Sequence, residues 1–490
     1  MKYIKNTILL LTMSTCFTAC NSRSESLKSL ITKSINEDRV IDSAECEGLK
    51  EYIIKNKNQY NDLFVDDQLD ENKFVEYING FLINKLRNAE DVKLECQAQE
   101  KSIVNIYIEN SGSMDGYING NTIYKANLSD IIVQTRGVYG IANTNTFFVN
   151  SNAFKSDSED IKSFISKLNV GNSEYKQGNT SSSELNETLK LILSKSNDSN
   201  ISILLSDFIY SLAKGQNTQD GLGIGKSLTK DAYLQHLNKY NLSTLILKFN
   251  SDFNGRYYSY DNSVTNFNGK RPYYVLAIGN DVRLREFMKK IQLSQLNGFE
   301  NSYYISNAGS FNPVYEVYDS KLNIGTSKTS RESNKNQIIL DDVTLDNGVF
   351  KFTIAVDFSE LPDQKIVLNP SNYHIEGDFK IASIDKRTDN FINSNFSSGT
   401  SNKVKGSKAT HFITLESTQP NFDKKLSLQL TNNKPNWIIQ SSTDNDSKIS
   451  NSVSTTFGFN YFVDGIYEAY KLKNNNTNND FLSLNFTLNK

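Results

Sequence analysis

Histidine is scarce, and the three present, His236, His374 and His411, are far apart. No His-x-x-x-His pair occurs, so the chain has no histidine frame for a zinc hydrolase. Tryptophan occurs once, at Trp437. Neither sign of charge is in excess: 53 basic and 55 acidic residues leave a formal net charge of −2. Such a balance gives no electrostatic footprint for nucleic acid or for a polybasic membrane patch. Proline is absent from the first 271 positions, and all six prolines lie at or after Pro272. Cysteine is limited to Cys16, Cys20, Cys46 and Cys96. None has a histidine nearby, so a cysteine protease is unsupported. Apolar runs are short everywhere, and only the N-terminus is hydrophobic enough to meet a membrane.

That N-terminus has a clear layout. Lys2 and Lys5 precede the apolar Ile8-Leu9-Leu10-Leu11-Thr12-Met13, and Phe17-Thr18-Ala19-Cys20 closes it. Basic residues, a short apolar core and small residues before a cut site mark a secretory leader. The FTAC end resembles the lipobox of bacterial lipoproteins, with Phe17 in place of the usual leucine. The resemblance implies that residues 1–19 are removed and that Cys20 is lipidated and becomes the mature N-terminus. An ordinary leader that happens to contain a cysteine is the alternative. Lipidation implies an envelope protein held to a membrane by acyl chains, on the periplasmic or the cell-surface side. Cys46 and Cys96 then remain as an even pair in an oxidising compartment. Joined, they close a loop worth up to about 4 kcal/mol; two buried thiols are the other reading.

A chain of 490 residues exceeds one core and predicts two to four domains. Residues 20–100 read as a tether and a helical segment, with Leu49, Ile53 and Ile54, then Phe74, Tyr77, Ile78, Phe81 and Leu82, at helical spacing. From residue 101 to about 310, apolar runs (Ile103–Ile108, Thr146–Val149, Ile201–Leu205, Leu245–Phe249, Tyr273–Ile278) alternate with amphipathic stretches. That alternation predicts an α/β domain with a doubly wound, mostly parallel sheet. Ligands then bind beyond the carboxyl ends of the strands. Residues 320–337 read as a linker. Residues 336–490 form a β-rich module, a sandwich to about 447, followed by an aromatic helix near Phe457–Tyr470 and a last strand, Phe481–Leu488.

The chemistry concentrates at Glu109–Met114, ENSGSM, directly after the first apolar run. Glu109, Ser111 and Ser113 offer three oxygens at alternate positions of one turn, a donor set for a hard cation. One turn cannot fill six positions. Gly178-Asn179-Thr180, before a helix starting near Ser183, and Ser206-Asp207, ending the Ile201–Leu205 strand, supply further oxygens at the same sheet edge. Together these resemble the metal-ion-dependent adhesion site of the von Willebrand factor type A (integrin I-type) domain, over about 101–295. The resemblance implies that Ser111, Ser113 and Thr180 hold Mg²⁺, or Mn²⁺ in its place, directly or through water. It implies that Glu109 and Asp207 neutralise the ion while one position stays open for an acidic group of a protein partner. Two departures stand out: Glu109 replaces the family's Asp, and Phe208 replaces the Gly after Asp207. A metal-free variant therefore stays open, in which Ser111 and Ser113 only cap the following helix.

Gly221-Leu222-Gly223-Ile224-Gly225-Lys226-Ser227 imitates a phosphate loop, but Asp220 holds the place of its first glycine. It reads as a flexible loop capping a helix. The expectation is a non-enzymatic, membrane-anchored lipoprotein whose type A domain binds a protein through a divalent ion. The alternative is a metal-free structural or assembly scaffold. An envelope enzyme acting on polysaccharide ranks third, because the sequence singles out no catalytic carboxylate pair.

Overall fold

The computed structural model describes residues 26–490 except 39, 66, 86–91, 95, 97–101, 157–159, 181–183, 213–214, 308, 335, 423–424 and 475–479. The leader and Cys20 lie outside the described residues. The chain forms two compact units, 1–99 and 100–490.

In the first unit, helices Leu27–Asp38, Ser43–Lys55 and Glu71–Lys85 enclose Ile31, Leu49, Ile53, Phe74, Ile78 and Leu82. The second helix begins in a reciprocal cap, with the Asp42 carboxylate accepting from the Glu45 N–H (2.8 Å) and Glu45 accepting from the Asp42 N–H (3.0 Å). A disulfide joins Cys46 to Cys96. Beside it, Val40–Ile41 pairs in parallel with Lys93–Leu94.

The second unit is built on a seven-stranded sheet. Its strands are β1 (Ile103–Glu109), β2 (Thr144–Val149), β3 (Ala153–Lys155), β4 (Asn200–Ser206), β5 (Leu242–Tyr258), β6 (Val264–Asn280) and β7 (Phe299–Ile305), in the spatial order β7-β5-β6-β4-β1-β2-β3. Helices α1 (Ile123–Tyr139) and α4 (Asp281–Lys290) cover one face through Leu128, Ile131, Leu284 and Phe287. Helices α2 (Leu185–Ser194), α3 (Thr218–Leu237) and α5 (Phe459–Lys473) cover the other through Leu189, Tyr233 and Phe462. Both faces are dry, so the central strands read as continuous apolar runs.

The expectation of a mostly parallel sheet is corrected. Only β1 with β2 and β1 with β4 run parallel; the other neighbours are antiparallel. One of these pairs is the long hairpin β5–β6, whose short turn at 259–263 allows only antiparallel pairing. Its outer half extends the apolar runs into an arm of alternating residues, with Phe253, Tyr257 and Phe267 inward and Asn254, Arg256, Asn266 and Asn268 exposed.

Two antiparallel-rich sheets follow. One orders Tyr315–Tyr318, Phe350–Val356, His411–Ser417 and Lys380–Lys386; the other orders Thr326–Thr329, Ile338–Thr344, Asp480–Leu488, Leu426–Thr431 and Tyr373–Glu376. Phe486 contacts Phe352 (5.5 Å between ring centres) and Tyr315 (5.6 Å) between them. The expected linker at 320–337 is therefore partly a strand: Thr326–Thr329 pairs with the strand Ile338–Thr344.

Residues 101–310 and 336–490, expected as separate modules, belong to one compact unit, 100–490. After the strand Leu426–Thr431 the chain returns to the α/β sheet. Asn432 donates to the Tyr304 carbonyl (3.0 Å), and Phe459 stacks on Tyr274 at 4.0 Å. The glycine-rich stretch 221–227 is the interior of α3, not a loop. A Cβ on Gly225 would lie 2.8 Å from the Tyr210 ring, and one on Gly465 of α5 would lie 2.7 Å from the Lys226 carbonyl. These glycines let two helices and a tyrosine close on one another.

Gly465→Val is expected to separate α5 from α3 and cost about 1–3 kcal/mol, read from denaturant unfolding. Cys46→Ser is expected to lower the stability of the first unit by up to about 4 kcal/mol, with a separate early transition in thermal unfolding.

Candidate functional site

Parallel register sets the site. Ile108 of β1 lies opposite Leu205 of β4, so the two strands end side by side at Glu109 and Ser206. The Ser206 hydroxyl donates to Glu109 Oε2, and the Ser111 hydroxyl donates to Oε1 at 2.7 Å. Ser111 and Ser113 share a hydrogen bond of 3.0 Å, and Ser113 also bonds the Asp207 carboxylate. Ser111 stands at the N-cap of the short turn Gly112–Met114, yet its side chain makes no cap bond. The capping alternative for Ser111 is corrected: its hydroxyl serves Glu109.

The loop carrying Thr180 is held by two buried asparagines. Asn110 donates to the carbonyls of Tyr175 (2.6 Å) and Gln177 (3.0 Å), and Asn150 donates to Asn110 Oδ1 (2.9 Å) and Gln177 (2.8 Å). Gly178 turns the chain with φ +76°, where a Cβ would strike Phe154 and Asn150. Thr180 then accepts from the Gly112 N–H through its main-chain carbonyl, at 2.9 Å. In this arrangement Thr180 braces the turn from the backbone, and Glu109, Ser111, Ser113 and Asp207 supply the convergent side chains. Among the described residues no three His, Cys, Asp or Glu side chains form a metal-ligating group. Two carboxylates and two hydroxyls nevertheless make an all-oxygen donor set that suits a hard cation.

Both carboxylates are buried, Glu109 with 5% and Asp207 with 3% of its surface exposed. Burial first, and the neighbouring Glu109 second, raise the Asp207 carboxyl from an ordinary 3.8 to about 7, while bonds from Ser113 and the Ile209 N–H oppose the shift. Arg271 of β6 opposes it as well. That arginine is fully buried, with its guanidinium over the Tyr257 ring at 4.6 Å. Nη1 donates to the carbonyls of Ser452 (2.7 Å), Val453 (3.3 Å) and Thr455 (3.0 Å), whereas Nε and Nη2 have no partner among the described residues. Asp446, also buried, accepts from the Tyr257 hydroxyl and from the Tyr260 N–H (2.9 Å).

Phe208 follows in the left-handed region, φ +54°. This backbone favours glycine and costs an ordinary residue about 1–2 kcal/mol. Here the ring is held by Tyr274 (5.9 Å) and by Phe462 of α5 (4.9 Å), and the N–H donates to Ser206 Oγ at 2.8 Å.

A cleft of about 300 Å³ opens beside the turn. Glu109, Ser111 and Ser113 line it, with Glu184 from the start of α2, Tyr210, and Tyr258 and Tyr260 from the hairpin arm. Sequence reasoning named Ser206 only as the neighbour of Asp207 at the strand end, and did not single out Arg271 or the arm. Arg271 directly precedes Pro272 and the apolar run Tyr273–Ile278, and no local pattern marks it as buried. No family model, curated protein or solved structure matches this chain.

In EDTA, the Asp207 contribution to stability is fully present below about pH 4, the carboxyl's unfolded range, and is lost as the pH rises through about 7. Asp207→Asn is expected to flatten that slope, measured as Tm from pH 4 to 9 in steps of about one unit.

Proposed function

We propose that the protein is a lipid-anchored envelope lipoprotein that binds a protein partner through a divalent ion, in the manner of a von Willebrand factor type A domain. The observation that carries this reading is the pair of buried carboxylates, Glu109 and Asp207, set side by side at two parallel strand ends and joined by serine hydroxyls. Like charges so placed favour an added cation. Glu109, Ser111, Ser113 and Asp207 would hold Mg²⁺ or Mn²⁺, and the ion would supply a position for a partner's Asp or Glu. The turn itself presents Ser111 and Ser113 to the cleft, where a partner side chain can enter. The sequence leader and Cys20 support the anchored setting.

A metal-free scaffold is favoured by one observation. Arg271 already brings a cation's field to Asp207, and both oxygens of Glu109 already accept hydroxyl protons.

Calorimetric titration of Mg²⁺ into the full chain decides between them. Saturable binding that Ser113→Ala weakens at least about tenfold supports the ion-dependent reading. Absence of binding, with Glu109→Asp restoring it, supports the scaffold.

A further inference from the structure

Arg271 belongs to the serine turn as well as to the C-terminal return. On β6 it stands three residues before Tyr274, which pairs with Ser206 at the end of β4. The two strands are antiparallel, so β4 leaves Ser206 toward Asp207 as β6 is followed back toward Arg271. From the other side, Tyr117 of the short helix Asp115–Ile118, directly after ENSGSM, donates to the Pro272 carbonyl at 2.5 Å. A strand pairing and a phenol bond therefore hold the arginine's strand against the two segments that carry Ser113 and Asp207.

The guanidinium keeps charge to spare at that place. Nη1 takes the carbonyls of Ser452, Val453 and Thr455, and Nε and Nη2 have no partner among the described residues. Carbonyls accept protons in hydrogen bonds but carry no net charge, so they do not cancel the cation. Two carboxylates share its field. Asp446 meets it across Tyr257, whose hydroxyl donates to Asp446 and whose ring lies 4.6 Å from the guanidinium, and Asp207 is the other. A fixed charge this deep is screened little by salt or water.

Glu109 and Asp207 would together cancel a divalent ion. An ion so neutralised has little attraction left for a partner's acid. One fixed positive charge behind Asp207 changes that sum in both states: the empty turn draws cations less strongly, and the loaded turn stays net positive. We propose that Arg271 sets the affinity of the ion site, weakening the hold on the divalent ion and keeping the loaded turn attractive to a carboxylate. This rests on the ion-dependent reading above and deepens it with a positioning residue that acts through Asp207. The same fixed charge favours the self-satisfied turn when no ion is held.

The test uses the full chain at about pH 8, where carboxylates are ionised. Mg²⁺ binding is measured by calorimetry. The Mg²⁺-saturated protein is then titrated against a short peptide with one Glu as its sole charged side chain, by fluorescence anisotropy. Arg271→Met keeps bulk and removes the charge; it is expected to tighten Mg²⁺ at least about tenfold and to weaken the peptide about fivefold. Arg271→Lys stays nearer to wild type than Arg271→Met in both constants. A damaged fold weakens both, so opposite movement does not come from loss of structure. Asp446→Asn keeps an acceptor for the Tyr257 hydroxyl and releases more of the arginine's field, so Mg²⁺ is expected to weaken about threefold. That variant carries the test alone if Arg271→Met does not fold. Saturable Mg²⁺ binding in wild type with equal or weaker binding in Arg271→Met overturns this proposal alone, as does an Asp446→Asn affinity equal to wild type or a peptide affinity that does not fall in Arg271→Met. Failure of Mg²⁺ to saturate wild type overturns the ion-dependent reading and this inference with it.

Discussion

A guanidinium without solvent contact ties the second unit together. Arg271 is carried by the sheet's longest hairpin and bonds three consecutive-region carbonyls of the returning C-terminal segment, at Ser452, Val453 and Thr455. Burying an arginine is costly unless its charge and donors are met. Here Nη1 meets carbonyl oxygens, and an aromatic face and the fields of Asp207 and Asp446 offset the charge, while Nε and Nη2 have no partner among the described residues. The arginine thereby fixes three things at once: the pose of the hairpin arm, the path of residues 446–456 and the local potential at Asp207. Its contact with the Tyr257 ring adds to the hold that Asp446 and Phe457 have on the arm, so the hairpin and the chain's return are tied at neighbouring points.

The same return explains how the strand end after Asp207 tolerates phenylalanine. A left-handed residue with a large side chain persists where surrounding packing over-determines it. Phe208 meets that condition because α5 lays Phe462 against it and β6 supplies Tyr274. Helix α5 reaches that position only because Gly465 and Gly225 allow close approach around α3. The departure at 208 and the glycine-rich stretch at 221–227, unrelated along the sequence, are two sides of one packing solution.

What the sequence made legible follows from locality. The apolar runs became β1, β2, β4 and the inner halves of β5 and β6, and the amphipathic periods became α1, α2, α3 and α4, because each pattern is written within one element. Glu109, Ser111, Ser113 and Asp207 were legible for the same reason: strand end and turn are adjacent in sequence, and parallel neighbours bring two such ends together. Strand direction was not legible. Asn254, Arg256, Asn266 and Asn268 alternate with inward aromatics as any half-exposed strand does, and nothing local says which neighbour they pair with. The docking of α5 was equally hidden, since an aromatic helix face does not name its receiver. The Thr180 loop does lie against the serine turn, but the contact falls on its carbonyl, where two asparagines fix the preceding backbone.

Glutamate at 109 is the departure with the widest reach. Its extra methylene extends the carboxylate by about 1.5 Å, and the two oxygens take separate hydroxyls, Ser111 on one and Ser206 on the other. Ser206 in turn accepts from the Phe208 N–H, so the chain of bonds runs from the serine turn to the strained residue under α5. A closed network of this kind does not by itself exclude a cation. A hydroxyl that donates its proton to a carboxylate keeps lone pairs that can face a metal, and Ser111 can serve Glu109 and an ion together. The competition falls instead on Ser113, whose hydroxyl is shared between Ser111 and Asp207. Ser113 therefore marks where the self-satisfied turn and an ion-holding turn differ, and Glu109 belongs to both.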